Sequence, residues 1–194
     1  MRILPDLFEL RLDCLPNLHK SQLARLSRPL IVTARHPQEG GKHVRMSRRD
    51  LLLTFLDWAK FVDVELRSLE ELSEIWQEAR RRKIGRICSF HDFKQTPGFG
   101  VLRQRFRRAE KSGADIFKIV ARADSTKDLL ALLRFLSTTS ACCAMATGRF
   151  GPISRLLFPE CGSRLVYAPL RRTFHEGQLT LEQLWRLRDS YAKK

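Results

Sequence analysis

Short apolar runs of four to eight residues alternate along the chain with longer stretches whose apolar positions recur at helical spacing. The short runs are "LFELRL", "PLIVTAR", "FVDVELR", "IGRICSF", "DIFKIVA", "ACCAMAT" and "SRLVYAP", and they predict about seven strands. Stretches such as "DLLLTFLDWAKF" and "KDLLALLRFL" between them are amphipathic, as helices covering a sheet must be. Four candidate helices open on a capping signature: "SRRD" from Ser47, "SLEE" from Ser68, "STKD" from Ser125 and "TLEQ" from Thr180. Regular strand–helix alternation without a long linker favours a closed (β/α) barrel over an open doubly wound sheet. A closed barrel of this kind has eight strands. The expected architecture is therefore an α/β (β/α)8 TIM barrel that lacks its first β/α unit at the N-terminus, forming a single domain over residues 1–194.

In parallel α/β folds the chemistry gathers at the C-terminal ends of the strands, and the polar residues there form a coherent set. Glu9, Arg11 and Asp13 share one strand face, as do Asp63, Glu65 and Arg67. Arg35 ends the second run and is followed by "HPQEGGKH" with Glu39; "SFHDF" supplies Ser89, His91 and Asp92; and Lys118 sits inside "DIFKIV". A lysine in one strand is edge-exposed or snorkelling about as often as it is functional, and a single strand-end histidine is more often a packing residue than a base. Alternating charge also suits the solvated face of an antiparallel edge strand. In a barrel lumen, however, such groups must pair with each other, with water or with a polar ligand. A lysine among arginines in a closed pocket is disposed to lose its proton and attack a ketone, with a nearby histidine moving protons. That combination points to an imine-forming lyase or aldolase acting on an anionic keto compound whose carboxylate an arginine grips.

The chain carries 36 Lys and Arg against 21 Asp and Glu, a formal net charge of +15. Charge of this sign attracts nucleic acid, an acidic membrane surface or a small anionic substrate. Much of it lies in "EARRRK" and "RQRFRRAEK", which read as solvated helix faces, so that a nonenzymatic basic protein binding nucleic acid or anionic surfaces is the alternative reading. The five cysteines are odd in number and show no CxxC spacing; they read as small core residues in a reducing compartment. The N-terminal "MRILPDLFELRLD" has no signal-peptide core, and no apolar run reaches the roughly 18 residues of a membrane span, so a cytoplasmic protein is expected. No glycine-rich phosphate loop is present in the sequence.

"LFELRLD", "VTARHPQEGG", "VDVELRSLEEL", "ICSFHDFKQTP", "KSGADIFKIV", "GPISRLLFPECGSRLVYAP" and "EGQLTLEQL", in this order, resemble the type I 3-dehydroquinate dehydratases of the shikimate pathway over nearly the whole chain. The resemblance implies a usually dimeric (β/α)8 barrel that needs no metal or organic cofactor and dehydrates 3-dehydroquinate through a covalent imine. It further implies that Lys118 is the Schiff-base lysine, that His91 is the general base and acid, and that Glu39 orients or tunes that histidine. By the same resemblance Glu9, Arg11 and Arg35 contact the substrate, Arg155 binds its carboxylate, and Gln178 comes from the closing loop. The sequence departs from the family's pattern at Phe174, where a serine is expected, and at Thr147, where a methionine is common, so a catalytically impaired barrel homologue is a further alternative.

Overall fold

The computed structural model describes residues 4–192. They form an α/β fold with six strands: β1 (Phe8–Arg11), β2 (Leu30–Thr33), β3 (Ala59–Glu65), β4 (Gly85–Asp92), β5 (Ile116–Arg122) and β6 (Cys142–Thr147). The α-helices are α1 (Lys20–Leu23), α2 (Arg48–Phe55), α3 (Ser73–Arg81), α4 (Phe99–Lys111), α5 (Thr126–Ser137), α6 (Gly151–Glu160) and α7 (Leu181–Ala192). Two compact units arise, one of Pro5–Phe90 with Arg108–Asp115, the other chiefly of His91–Arg107 with 116–192. Residues 1–3 and 193–194 of the domain expected over 1–194 lie outside the described residues.

In the first unit β1 pairs with β2, β2 with β3 and β3 with β4, all parallel. All four residues of β2 are buried, as expected of a parallel strand covered on both faces. Val62 and Val64 are buried on one face of β3, while Ile87, in register with Asp63, lies on the other; Leu52, Phe55 and Leu56 from α2 and its C-terminal turn, and Ile75 and Ala79 from α3, are buried as well. Trp76 turns its indole N–H to the Ser112 carbonyl at 2.8 Å, which satisfies the ring's one donor. In the second unit β5 and β6 pair in parallel, with Lys118 opposite Cys143 and Arg122 opposite Thr147. Phe117 meets Phe106 of α4 and Phe135 of α5 edge to face, at centroid distances of 6.0 and 6.2 Å. Because a strand alternates its faces, the other face of β5 carries Lys118 and Val120. Val120 joins Cys143 and Met145 in a small cluster closed by Phe93, Ile116, Leu165 and Tyr167.

Several expectations need correction. The run "SRLVYAP" does not form a strand. Its segment is held to β6 largely by side chains: Ser163 Oγ accepts the Ala144 N–H at 3.0 Å and the Cys143 thiol reaches the Leu165 carbonyl at 3.2 Å. Ser68 caps no helix, because its hydroxyl is taken by Arg48 at 3.0 Å, and α3 starts only at Ser73. β3 ends at Glu65, which leaves Arg67 exposed on a 3₁₀ turn and off the strand face shared by Asp63 and Glu65. Cys88, Cys142 and Cys143 are buried, but Cys14 and Cys161 are exposed and are not core residues. Ser47, Ser125 and Thr180 do act as caps. Among the described residues no helix is long and apolar enough to cross a membrane.

Candidate active site

Lys118 is 3% exposed in the middle of β5, and its Nζ lies 3.9 Å from the centroid of the Tyr167 ring. An aromatic face attracts an ammonium and shields it from bulk water, while leaving the amine's own chemistry intact once a ligand displaces the contact. His91, at the end of β4, is half-buried and stacks on Phe93 at 5.9 Å, and Phe93 stacks on His175 at 4.4 Å with 13° between the planes. A ring series thus runs from the strand-end histidine to the segment that precedes α7.

Arg155 is buried on α6 and lies in a cradle of carbonyls. Its Nε donates to Tyr167 at 3.2 Å, and its Nη1 donates to Ala146, Gly151 and Gly177 at 2.9, 2.9 and 3.1 Å. Among the described residues no carboxylate forms an ion pair with it. Burial pulls its pKa down to about 10, so it stays a cation at neutral pH. A buried guanidinium held only by dipoles is a receptor for a planar anion. The carbonyl of Gly177 ties this cradle to the loop before α7, and the amide oxygen of Gln178 pins the same loop by accepting the Phe174 and His175 N–H groups at 2.7 and 3.1 Å. Glu176 adds an ion pair to Arg122 at 2.9 Å, and its carbonyl accepts the Gly148 N–H at 3.0 Å.

The first unit gathers Arg35 among acidic residues. Its guanidinium donates to Asp63 at 2.9 and 3.1 Å, to Glu65 at 3.1 Å and to Ser89 at 2.6 Å, and Glu9 lies 4.0 Å away. Burial would lower the pKa of Arg35, but Asp63 and Glu65 outweigh it and raise the group above its ordinary value. Glu65 is held further by Arg48 and by the His36 N–H at 2.8 Å, and Glu9 by the Thr33 hydroxyl at 2.9 Å. Arg11 forks onto Asp13, with two contacts of 2.9 Å, and also reaches the Gly40 carbonyl at 3.2 Å. Burial pushes the Asp13 carboxyl up, yet Arg11 and the N–H groups of Arg35 and Lys42 bring it below its ordinary value. Glu39 is buried at the end of the 3₁₀ turn Pro37–Glu39. That turn leads into Gly41, where a Cβ would stand 1.9 Å from the Arg35 carbonyl oxygen. Only glycine fits there.

The model of the type I 3-dehydroquinase family matches residues 2–193. This chain belongs to that family. A 3-dehydroquinate dehydratase of Pyrococcus abyssi is 39% identical over 183 residues, covering 92% of this chain and 84% of the relative. One from Thermococcus gammatolerans is 34% identical over 189 residues, covering 94% and 86%. The crystal structure of the 3-dehydroquinate dehydratase of Aquifex aeolicus matches with a TM-score of 0.85 at 28% identity, over 97% of this chain and 89% of that one.

The eight residues picked out in this type I 3-dehydroquinase fall into the two units: Lys118, His91, Arg155 and Gln178 in the second, Glu9, Arg11, Arg35 and Glu39 in the first. Within the first unit Arg35 and Glu9 come together, whereas Arg11 is committed to Asp13. The sequence reading missed Tyr167, the Phe93–His175 stack and Arg48. Tyr167 lay in a run taken for a strand, and a ring contact between segments leaves no trace in local periodicity. Among the described residues no group of three or more His, Cys, Asp or Glu side chains could hold a metal ion.

Proposed function

We propose that this type I 3-dehydroquinase dehydrates 3-dehydroquinate to 3-dehydroshikimate through an imine on Lys118. The observation that carries the reading is the burial of Lys118 on β5, within the family's ordered motifs and in the same unit as the half-buried His91. The Lys118 amine adds to the ketone carbon, and loss of water from the adduct gives a protonated imine, an electron sink. The neighbouring C–H then becomes acidic enough for His91 to remove its proton, imidazole being the side chain best suited to exchange protons near neutral pH. The electron pair released returns from the enamine to expel the hydroxyl on the next carbon, which leaves as water with the proton from His91. A second water hydrolyses the imine, releasing product and free Lys118. The net change is loss of one water from the substrate.

Arg155 would take the substrate carboxylate, which supplies the anion its carbonyl cradle does not, and Gln178 would act from the loop tied to that cradle. Glu39 tuning His91, and Glu9, Arg11 and Arg35 contacting substrate, are roles carried over from the family motifs. The geometry favours Arg35 as the hub that holds Asp63 and Glu65 in place. A (β/α)8 barrel, a homodimer and a cytoplasmic location belong to the same proposal; the likeness to the Aquifex aeolicus structure supports the first of these and not the other two. The deciding experiment is incubation with 3-dehydroquinate followed by borohydride. The peptide containing Lys118 is expected to gain the mass of the reduced adduct, and an unmodified peptide rules the mechanism out.

A further inference from the structure

Thr147 closes β6 and is 3% exposed, yet its Oγ1 has no hydrogen-bond partner among the described residues. The backbone on either side of it is fully engaged. The carbonyl of Ala146 holds Arg155 Nη1, the Thr147 carbonyl accepts the Ala123 N–H at 3.0 Å, and the Gly148 N–H donates to the carbonyl of Glu176. Thr147 therefore lies between the guanidinium cradle and the loop that Glu176, Gly177 and Gln178 bring against it. By strand alternation it shares the face of Cys143 and Met145, and its register partner Arg122 shares that of Lys118 and Val120. Native proteins rarely bury a hydroxyl unmatched, because the lost hydration is not returned. An unmatched hydroxyl beside a receptor for a carboxylate has an evident use when that receptor is filled.

We propose that Thr147 Oγ1 is a substrate-contacting group that hydrogen-bonds a hydroxyl of the anionic ligand held by Arg155. The inference deepens the dehydratase reading and rests on it. A site that matches a ligand hydroxyl with a buried polar atom also rejects analogues lacking that hydroxyl, since the protein group is then left unpaired. Thr147 thus contributes specificity for hydroxylated carboxylates over their deoxy counterparts.

Thr147→Val and Thr147→Ser separate contact from packing. Valine keeps the shape and removes the hydroxyl; serine keeps the hydroxyl and loses a methyl. The valine variant is expected to melt about 2–4 °C higher without ligand, because it no longer buries an unmatched hydroxyl. Its kcat/KM is expected to fall about tenfold, equivalent to about 1.4 kcal/mol. The serine variant should melt lower and keep kcat/KM within about threefold of the parent. Binding of a deoxy analogue of the product should be unaffected by Thr147→Val. A valine variant with the parent's kcat/KM overturns the assignment, and so does a serine variant that loses as much as valine. If the parent itself shows neither turnover nor borohydride trapping, the dehydratase reading fails along with it; trapping and turnover with a neutral valine variant sink the threonine contact alone.

Discussion

Lys118 and Arg155 are both basic side chains buried to within a few per cent, but their surroundings differ. Lys118 faces an aromatic ring, which attracts charge without fixing a donor direction; Arg155 is held by four carbonyls that fix its plane. The carbonyl cradle suits a group that must stay charged and still. His91 stacks on Phe93, with 5.9 Å between the ring centroids. His91→Ala should leave the imine trappable on Lys118 while kcat falls by about 10²–10⁴, the usual worth of a positioned acid–base group. Mass spectrometry after borohydride and a turnover assay on the same sample check both halves. Turnover near that of the parent would falsify the assignment of the proton transfers to His91.

At the scale of elements, the loop before α7 is brought to the β6–α6 turn by bare backbone. A Cβ on Gly151 would stand 2.4 Å from the Gly177 carbonyl oxygen, the same oxygen that accepts from Arg155. Gly151→Ala is expected to push that loop away, raise KM at least tenfold and leave borohydride trapping at saturating substrate detectable; steady-state kinetics at matched concentrations test it. The α5 cap is a more local matter: Ser125 and Asp128 exchange hydrogen bonds at the helix start, and Ser125→Ala should cost about 1 kcal/mol of stability by denaturant titration with no change in KM. This cap was legible in four residues of sequence, as were the strands, because strands buried on both faces produce unbroken apolar runs. "SRLVYAP" produced the same signal and is no strand, since one backbone bond, from the Arg164 N–H to the Cys142 carbonyl, and the side chains of Ser163 and Cys143 tie it to β6 in place of a ladder. Ser68 matched a capping signature too, but a distant arginine claims its hydroxyl. Local pattern identifies what an element can do; which partner takes up its polar groups is decided by residues far away in the chain. The same limit applies to the site. Lys118 and His91 stood out by type and position, while the unmatched hydroxyl of Thr147 could only be found once all the groups around it were located.

At the scale of the whole molecule, the charge of +15 is divided between two uses. Some cations are locally matched, as where Arg35 and Arg48 hold Glu65, and Arg81 and Arg82 hold Glu78. Others, including Arg80, Lys83, Arg107, Arg108 and Lys111, are exposed on or just beyond α3 and α4 and act mainly through the long-range field. Fields of this kind raise the local concentration of a small anion and so the rate of encounter, while they act about equally on bound substrate and transition state. They are screened over about 10 Å at 0.1 M salt. Raising the ionic strength from about 20 to about 300 mM with an inert salt should therefore lower kcat/KM for 3-dehydroquinate several-fold and leave kcat unchanged. If kcat falls in parallel, the salt is acting on the chemistry or on the fold, and the surplus charge has no part in gathering substrate. If neither changes, encounter does not limit the reaction, and the exposed cations of α3 and α4 are solvated faces with no bearing on turnover.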